Sequence, residues 1–227
     1  MKKPMPALAA LMLCTTVASA QYHKYDSWDQ NYTAAGLLGA VQYDDLKFDA
    51  PASGGAEQID VSLLPQLGGA WTTSPQPDQR FQYGLECSFL LGFRFDKLNY
   101  AYLGGGGAYI SISTSMWMFD LAGGGYASFF LDQDRRFRVY AGSGPLMLYA
   151  NYRSEQTYDD GTPTEDLNES VFGIGWYART GIEFRVHEKG MLGLGTRASW
   201  ARADFSEING SSEVDGLAVF ASYTAGF

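Results

Sequence analysis

Leu217-Ala218-Val219-Phe220-Ala221-Ser222-Tyr223-Thr224-Ala225-Gly226-Phe227 decides the fold. Read in steps of two from its end, Phe227, Ala225, Tyr223, Ala221, Val219 and Leu217 are all apolar. The residues between are mostly small or polar: Gly226, Thr224, Ser222, Phe220, Ala218 and Gly216. Side chains along a strand alternate between two faces, so this is a strand with one apolar face. It runs to an aromatic residue at the end, where a chain in water usually frays. A closed sheet holds such a strand, because its last strand pairs with its first.

The same alternation recurs upstream and predicts strands at 34–45, 58–71, 81–95, 116–131, 137–152, 171–186 and 191–205. The third is the clearest. Phe81, Tyr83, Leu85, Cys87, Phe89, Leu91, Phe93 and Phe95 share one face, against Gln82, Gly84, Glu86, Ser88, Leu90, Gly92 and Arg94 on the other. Pro65 in the second strand and Gly144-Pro145 in the fifth each predict a bulge, since proline cannot donate to a ladder. With the closing strand the count is eight.

Connections after the second, fourth and sixth strands are short: 72–79, 132–136 and 187–190. Those after the first, third, fifth and seventh are longer. They include a Gly/Tyr-rich hairpin over 96–115 and an acidic loop over 154–169. Spanning barrels show this asymmetry, with short periplasmic turns and long external loops. The expected architecture is all-β: an eight-stranded antiparallel up-and-down transmembrane β-barrel.

Residues 1–20 read as a secretory signal: Lys2 and Lys3, an apolar run from Ala7 to Val17, then Ala18-Ser19-Ala20. Residues 21–33 read as a periplasmic lead-in, with Trp28 and Tyr32 at the membrane interface, and 34–227 as the barrel. Removing Lys2 and Lys3 takes the 16 Lys and Arg to 14 against 25 Asp and Glu, so the net charge falls from −9 to −11. That balance argues against nucleic acid as a partner. Only Cys87 survives processing, so no intrachain disulfide forms in the oxidising compartment.

Alternation alone does not say which face is outside. A lipocalin also has eight strands, with its apolar face inward, and Gly69-Ala70-Trp71 matches that family's G-x-W triplet. Size argues otherwise. Phe81, Tyr83, Phe89, Phe93, Phe95, Phe172, Trp176 and Phe184 overfill an eight-stranded interior from two strands alone. The opposite face is Gly, Ser and charge, which suits a narrow polar lumen. That lumen is expected to hold Glu86, Asp120 and Glu183 with Arg94, Arg138, Arg179, Arg185 and Arg197. Buried charges must pair, so these form a plugging salt-bridge network, with Arg94 and Arg185 at strand ends able to reach water instead.

No catalytic site is expected. His23 lies in the lead-in and His187 in a periplasmic turn, neither placed to activate a serine at an external rim. No Cys/His spacing suits zinc, and no cofactor is implied. Asp159, Asp160, Glu165 and Asp166 of the acidic loop are candidates for a divalent cation bridging lipopolysaccharide phosphates; a solvated loop is the simpler reading.

Leader, eight alternating strands, loop asymmetry and terminal Phe227 together resemble the small outer-membrane β-barrel superfamily, the OmpA-type transmembrane domain or OmpX-like proteins. The resemblance implies a monomer integral to the bacterial outer membrane. It implies outer-membrane lipid and lipopolysaccharide as surroundings, and recognition by the assembly machinery through the strand ending in Phe227. For function it implies a structural or surface-interaction role, with adhesin, receptor or narrow pore as alternatives.

Overall fold

The computed structural model describes residues 28–44, 47–49, 58–60, 63–102, 108–158, 163–203 and 213–227. Its strands are β1 (Tyr32–Tyr43), β2 (Lys47–Asp49), β3 (Gln58–Asp60), β4 (Leu63–Thr73), β5 (Phe81–Tyr102), β6 (Ala108–Phe130), β7 (Phe137–Tyr158), β8 (Pro163–His187), β9 (Gly190–Arg202) and β10 (Glu213–Gly226). Eight of them close a barrel in the order β1-β10-β9-β8-β7-β6-β5-β4, all neighbours antiparallel. β2 and β3 form a separate two-stranded sheet. The second predicted strand, 58–71, therefore divides: its first residues belong to that small sheet and only β4 enters the barrel.

Neither predicted bulge forms. The β1/β4 register runs unshifted through Ala40 and Pro65, and the ladder to β5 begins just after the proline, at Gln66. Pro65 thus sits where a missing N–H breaks no rung on the β5 side. At Pro145 the alternation of exposed and buried residues also continues in phase. Here the β6/β7 ladder pairs Ala122 with Leu146 and then Gly125 with Ser143, omitting the rungs between. The proline is tolerated by leaving rungs out, not by adding a residue.

Strand length splits the barrel in two. β1, β4, β9 and β10 have 11 to 14 residues, while β5, β6, β7 and β8 have 22 to 25. A tilted span needs only ~9–11 residues. The four long strands rise past the others at the end opposite the two termini. The acidic segment at 154–169 is consequently mostly strand, in β7 and β8. Asp159 and Asp160 lie outside the described residues, and for Glu165 and Asp166 only the backbone is described.

Candidate functional site

Barrel closure gives every strand an inner and an outer face, and the chain sorts its chemistry between them. Glu86, Asp120, Arg138, Arg179, Glu183 and Arg197 are all buried inside. Three pairs result, two across the lumen and one, Arg138 with Glu183, between directly opposed positions of the neighbouring strands β7 and β8. Arg179 reaches Glu86 through Nε at 2.9 Å and Nη2 at 2.6 Å, and Tyr177 Oη donates to the other carboxylate oxygen at 2.6 Å. Arg138 Nε donates to Glu183 at 2.8 Å, with Nη2 on the same oxygen, while Thr224 Oγ1 donates to the second oxygen at 2.6 Å. Arg197 Nη1 meets Asp120 at 2.6 Å.

Rings interleave with the guanidinium groups: Arg179 lies over Tyr140 and Arg197 over Tyr177, at 5.2 and 4.9 Å. Such stacking compensates a desolvated cation that a carboxylate alone does not cover. Beside the first two pairs the open space is a cavity of only about 10 Å³, lined by Thr33, Ala70, Tyr126 and Ser222 among others. That is one water's worth.

Arg94 and Arg185 stand apart from these three pairs. Arg94 is half-buried near the raised end of β5. Arg185 is buried, its Nη2 donating to Glu188 O at 2.5 Å and its Nε to His187 O at 3.3 Å. It closes its own turn and does not point into water.

Two expectations about the lumen need correction. The interior is charged only over part of its height. Toward the raised end Val41, Tyr43, Leu64, Met116, Met118, Leu146, Leu148, Tyr152, Val171 and Val214 form one buried apolar cluster. Trp28 is not at the membrane interface: it is wholly buried against Phe130 and Met191 at the terminal end. The pairs are therefore bounded above by aliphatic packing and below by an indole.

Gly142 is required by this arrangement. A Cβ there would run into the Glu86 carboxylate. Gly142→Ala is expected to destabilise the barrel by roughly 1–3 kcal/mol, as overpacking does. The shift of its urea midpoint against a neutral glycine control, Gly125→Ala, measures it; Gly125 has open space around it.

The outer face carries the large apolar side chains. Toward the terminal end lie Tyr32 stacked on Trp71 at 5.7 Å, the Phe81–Tyr83 pair, Phe129 and Phe137. Toward the raised end lie Phe93, Phe95 and Trp117, mutually within 6.3 Å, and Tyr149 on Phe172 at 4.9 Å. Between the two rings of aromatics are exposed Leu38, Leu67, Leu85, Leu121, Met147, Leu194 and Val219. Two aromatic girdles around an aliphatic band, with ion pairs inside, describe a wall facing lipid. Phe89 and Trp176 are about half exposed while Glu86 and Arg179 are buried, the reverse of a lipocalin.

The fold is that of a small outer-membrane β-barrel. No family model and no curated protein matches the sequence. Among solved structures it is similar to Ail of Yersinia pestis at 10% identity and a TM-score of 0.46, over 86% of this chain and 99% of that one. It is similar to OprG of Pseudomonas aeruginosa at 14% identity and a TM-score of 0.42, over 88% and 97%. It is similar also to the protease OmpT of Escherichia coli at 10% identity and a TM-score of 0.42, over 89% and 98%. Likeness at this level concerns the fold alone.

A second site escapes sequence reading because it is made by unequal strand length. β9 meets β8 only up to Ile174, and β4 meets β5 only up to Gly92. Among the described residues, 163–173 of β8 pair on the β7 side only and 93–102 of β5 on the β6 side only. Over the described residues the raised part is a four-stranded sheet whose outer strands carry a ladder on one side only. Of the histidines, His187 is exposed at the end of β8, and no group of three His, Cys, Asp or Glu among the described residues could hold a metal.

Proposed function

We propose that the protein is a surface-interaction barrel, which presents the raised sheet outside the cell and pairs its open edges with extended segments of partner proteins. The backbone of 163–173 and 93–102, laddered on the β7 and β6 sides alone among the described residues, carries this reading. Each edge offers roughly 30 Å of strand with no second ladder among the described residues, at about 3.3 Å per residue. Such edges are templates for strand addition: main-chain bonds supply affinity and alternate side chains supply selectivity. The short turns and the termini face the periplasm. The barrel sits as a monomer among outer-membrane lipid and lipopolysaccharide, delivered by the assembly machinery through β10. Its lumen is plugged by the three ion pairs and the layers around them.

Panning the folded barrel against a library of short extended peptides tests the edge reading. Binders should lose affinity when alternate peptide amides are N-methylated. Neighbouring N–H groups of a strand point to opposite edges, so Asn168→Pro and Glu169→Pro block different ladders. One should abolish binding with the barrel still folded. Peptides bound equally by a protein with both raised hairpins trimmed would end the reading. The plug is tested separately by planar-bilayer recording, where steady unitary conductance would exclude it.

A further inference from the structure

Trp28 precedes β1 and leaves the barrel wall to enter its terminal mouth. Its ring is fully buried and packs on Phe130 and Met191. Two lumen cations flank it: Arg138 at 5.5 Å and Arg185 at 5.8 Å from the ring. The indole therefore covers the same arginine that pairs with Glu183. Its Nε1–H is buried without a hydrogen-bond partner among the described residues. A buried unpartnered donor is penalised, and returning it to water removes that penalty. The ring is thus held by stacking and packing, with its polar edge favouring release.

What offsets the release is found on a neighbouring turn. Arg135, between β6 and β7, has φ 53° and is the one non-glycine residue with positive φ among those described. A long side chain is strained there and glycine is not. Strain of this kind persists where the side chain is needed. Arg135 Nη1 donates to Trp28 O at 2.5 Å and to Pro77 O at 3.0 Å. One guanidinium ties the segment before β1 to the β4/β5 turn, across the mouth. Asp132 steadies the turn from below, its Oδ1 accepting from the Arg136 and Phe137 amides at 2.8 and 2.9 Å.

We propose that Trp28 is a releasable stopper for the terminal end of the lumen, held shut by Arg135 as a clamp. With the clamp engaged, the indole keeps water from the Arg138–Glu183 pair. With it disengaged, Trp28 swings out on the segment before β1 and the charged layer becomes accessible from that end. This inference is independent of the edge-pairing reading.

The test places a thiol behind the stopper. Ser222 is buried, lines the small lumen cavity beside Arg138 and Glu183, and has no partner for its hydroxyl among the described residues. Ser222→Cys in a Cys87→Ser background therefore reports lumen access to a small water-soluble methanethiosulfonate. Heat-modifiable gel mobility confirms that each variant in micelles is folded. Arg135→Gly is the decisive variant, because it relieves the backbone while deleting the clamp. It should raise the labelling rate by at least about tenfold, the measure of a shifted local opening equilibrium. Trp28→Ala should do the same or more. Should Trp28→Ala fail to fold, Arg135→Gly carries the test alone. Labelling of folded Arg135→Gly at the parent rate would overturn the proposal.

Discussion

Glu86→Ala will lower the unfolding free energy by about 3–5 kcal/mol, the range for breaking a buried ion pair from one side. The deletion strands the Arg179 guanidinium, which loses the partner of both its Nε and its Nη2, and it orphans the Tyr177 hydroxyl. Neither group can turn to water, because both residues are buried and the adjoining cavity is about 10 Å³. Reversible urea unfolding in lipid vesicles measures the loss as a change in midpoint at constant slope. The double variant Glu86→Leu with Arg179→Met should recover most of it, because the uncompensated cation goes with its partner. A single variant within about 1 kcal/mol of the parent would mean that the pair sits in a wetter lumen than its burial indicates.

Leu121→Arg will destabilise the barrel by about 2–4 kcal/mol in a bilayer, as expected for a cation near the midplane on a lipid face. Leu121 is 40% exposed and lies between the aromatic girdles, opposite Phe89 on the neighbouring strand. Leu131→Arg, at the terminal rim, should cost only about 0–1 kcal/mol by the same depth dependence. Leu131 is the more exposed of the two, at 52%. Exposure to water predicts two small and similar effects. Exposure to lipid predicts a large difference between them. Equal values would remove the lipid-facing assignment of the outer wall.

Much of the architecture was legible because a two-residue period survives any environment that differs across the wall. β5 is the clearest instance. Phe81, Tyr83, Leu85 and Phe89 are exposed, and Gln82, Glu86 and Ser88 are buried. The signal fails where both faces meet the same medium. In the raised ends of β7 and β8 both sheet faces lie beyond the barrel. The sequence there is polar without alternation and imitates a loop. Around Met116-Trp117-Met118-Phe119 the lumen and the lipid are both apolar. The two faces then merge into one hydrophobic run, so the expected polar lumen holds over only part of the barrel's height. Trp28 belongs to no periodic stretch, so nothing local distinguishes an interfacial indole from one turned into the mouth. The six paired charges were identifiable by face. Two of their pairings were not, because Glu86 and Arg179, or Asp120 and Arg197, meet only through the barrel's cross-section, whereas Arg138 and Glu183 face each other on adjacent strands.

The seam between β1 and β10 has a kinetic consequence. It joins Thr33 to Gly226 and Tyr43 to Gly216, so its contacts are among the most distant along the chain. Loop-closure entropy makes such contacts slow to form. Consecutive hairpins can zip locally well before this seam is sealed. Until then the growing sheet has two long borders in a medium that cannot solvate them. A circularly permuted chain that joins the present ends and opens the β6/β7 turn makes this seam local but hands the distant closure to the longer β6/β7 ladder, so it should insert no faster.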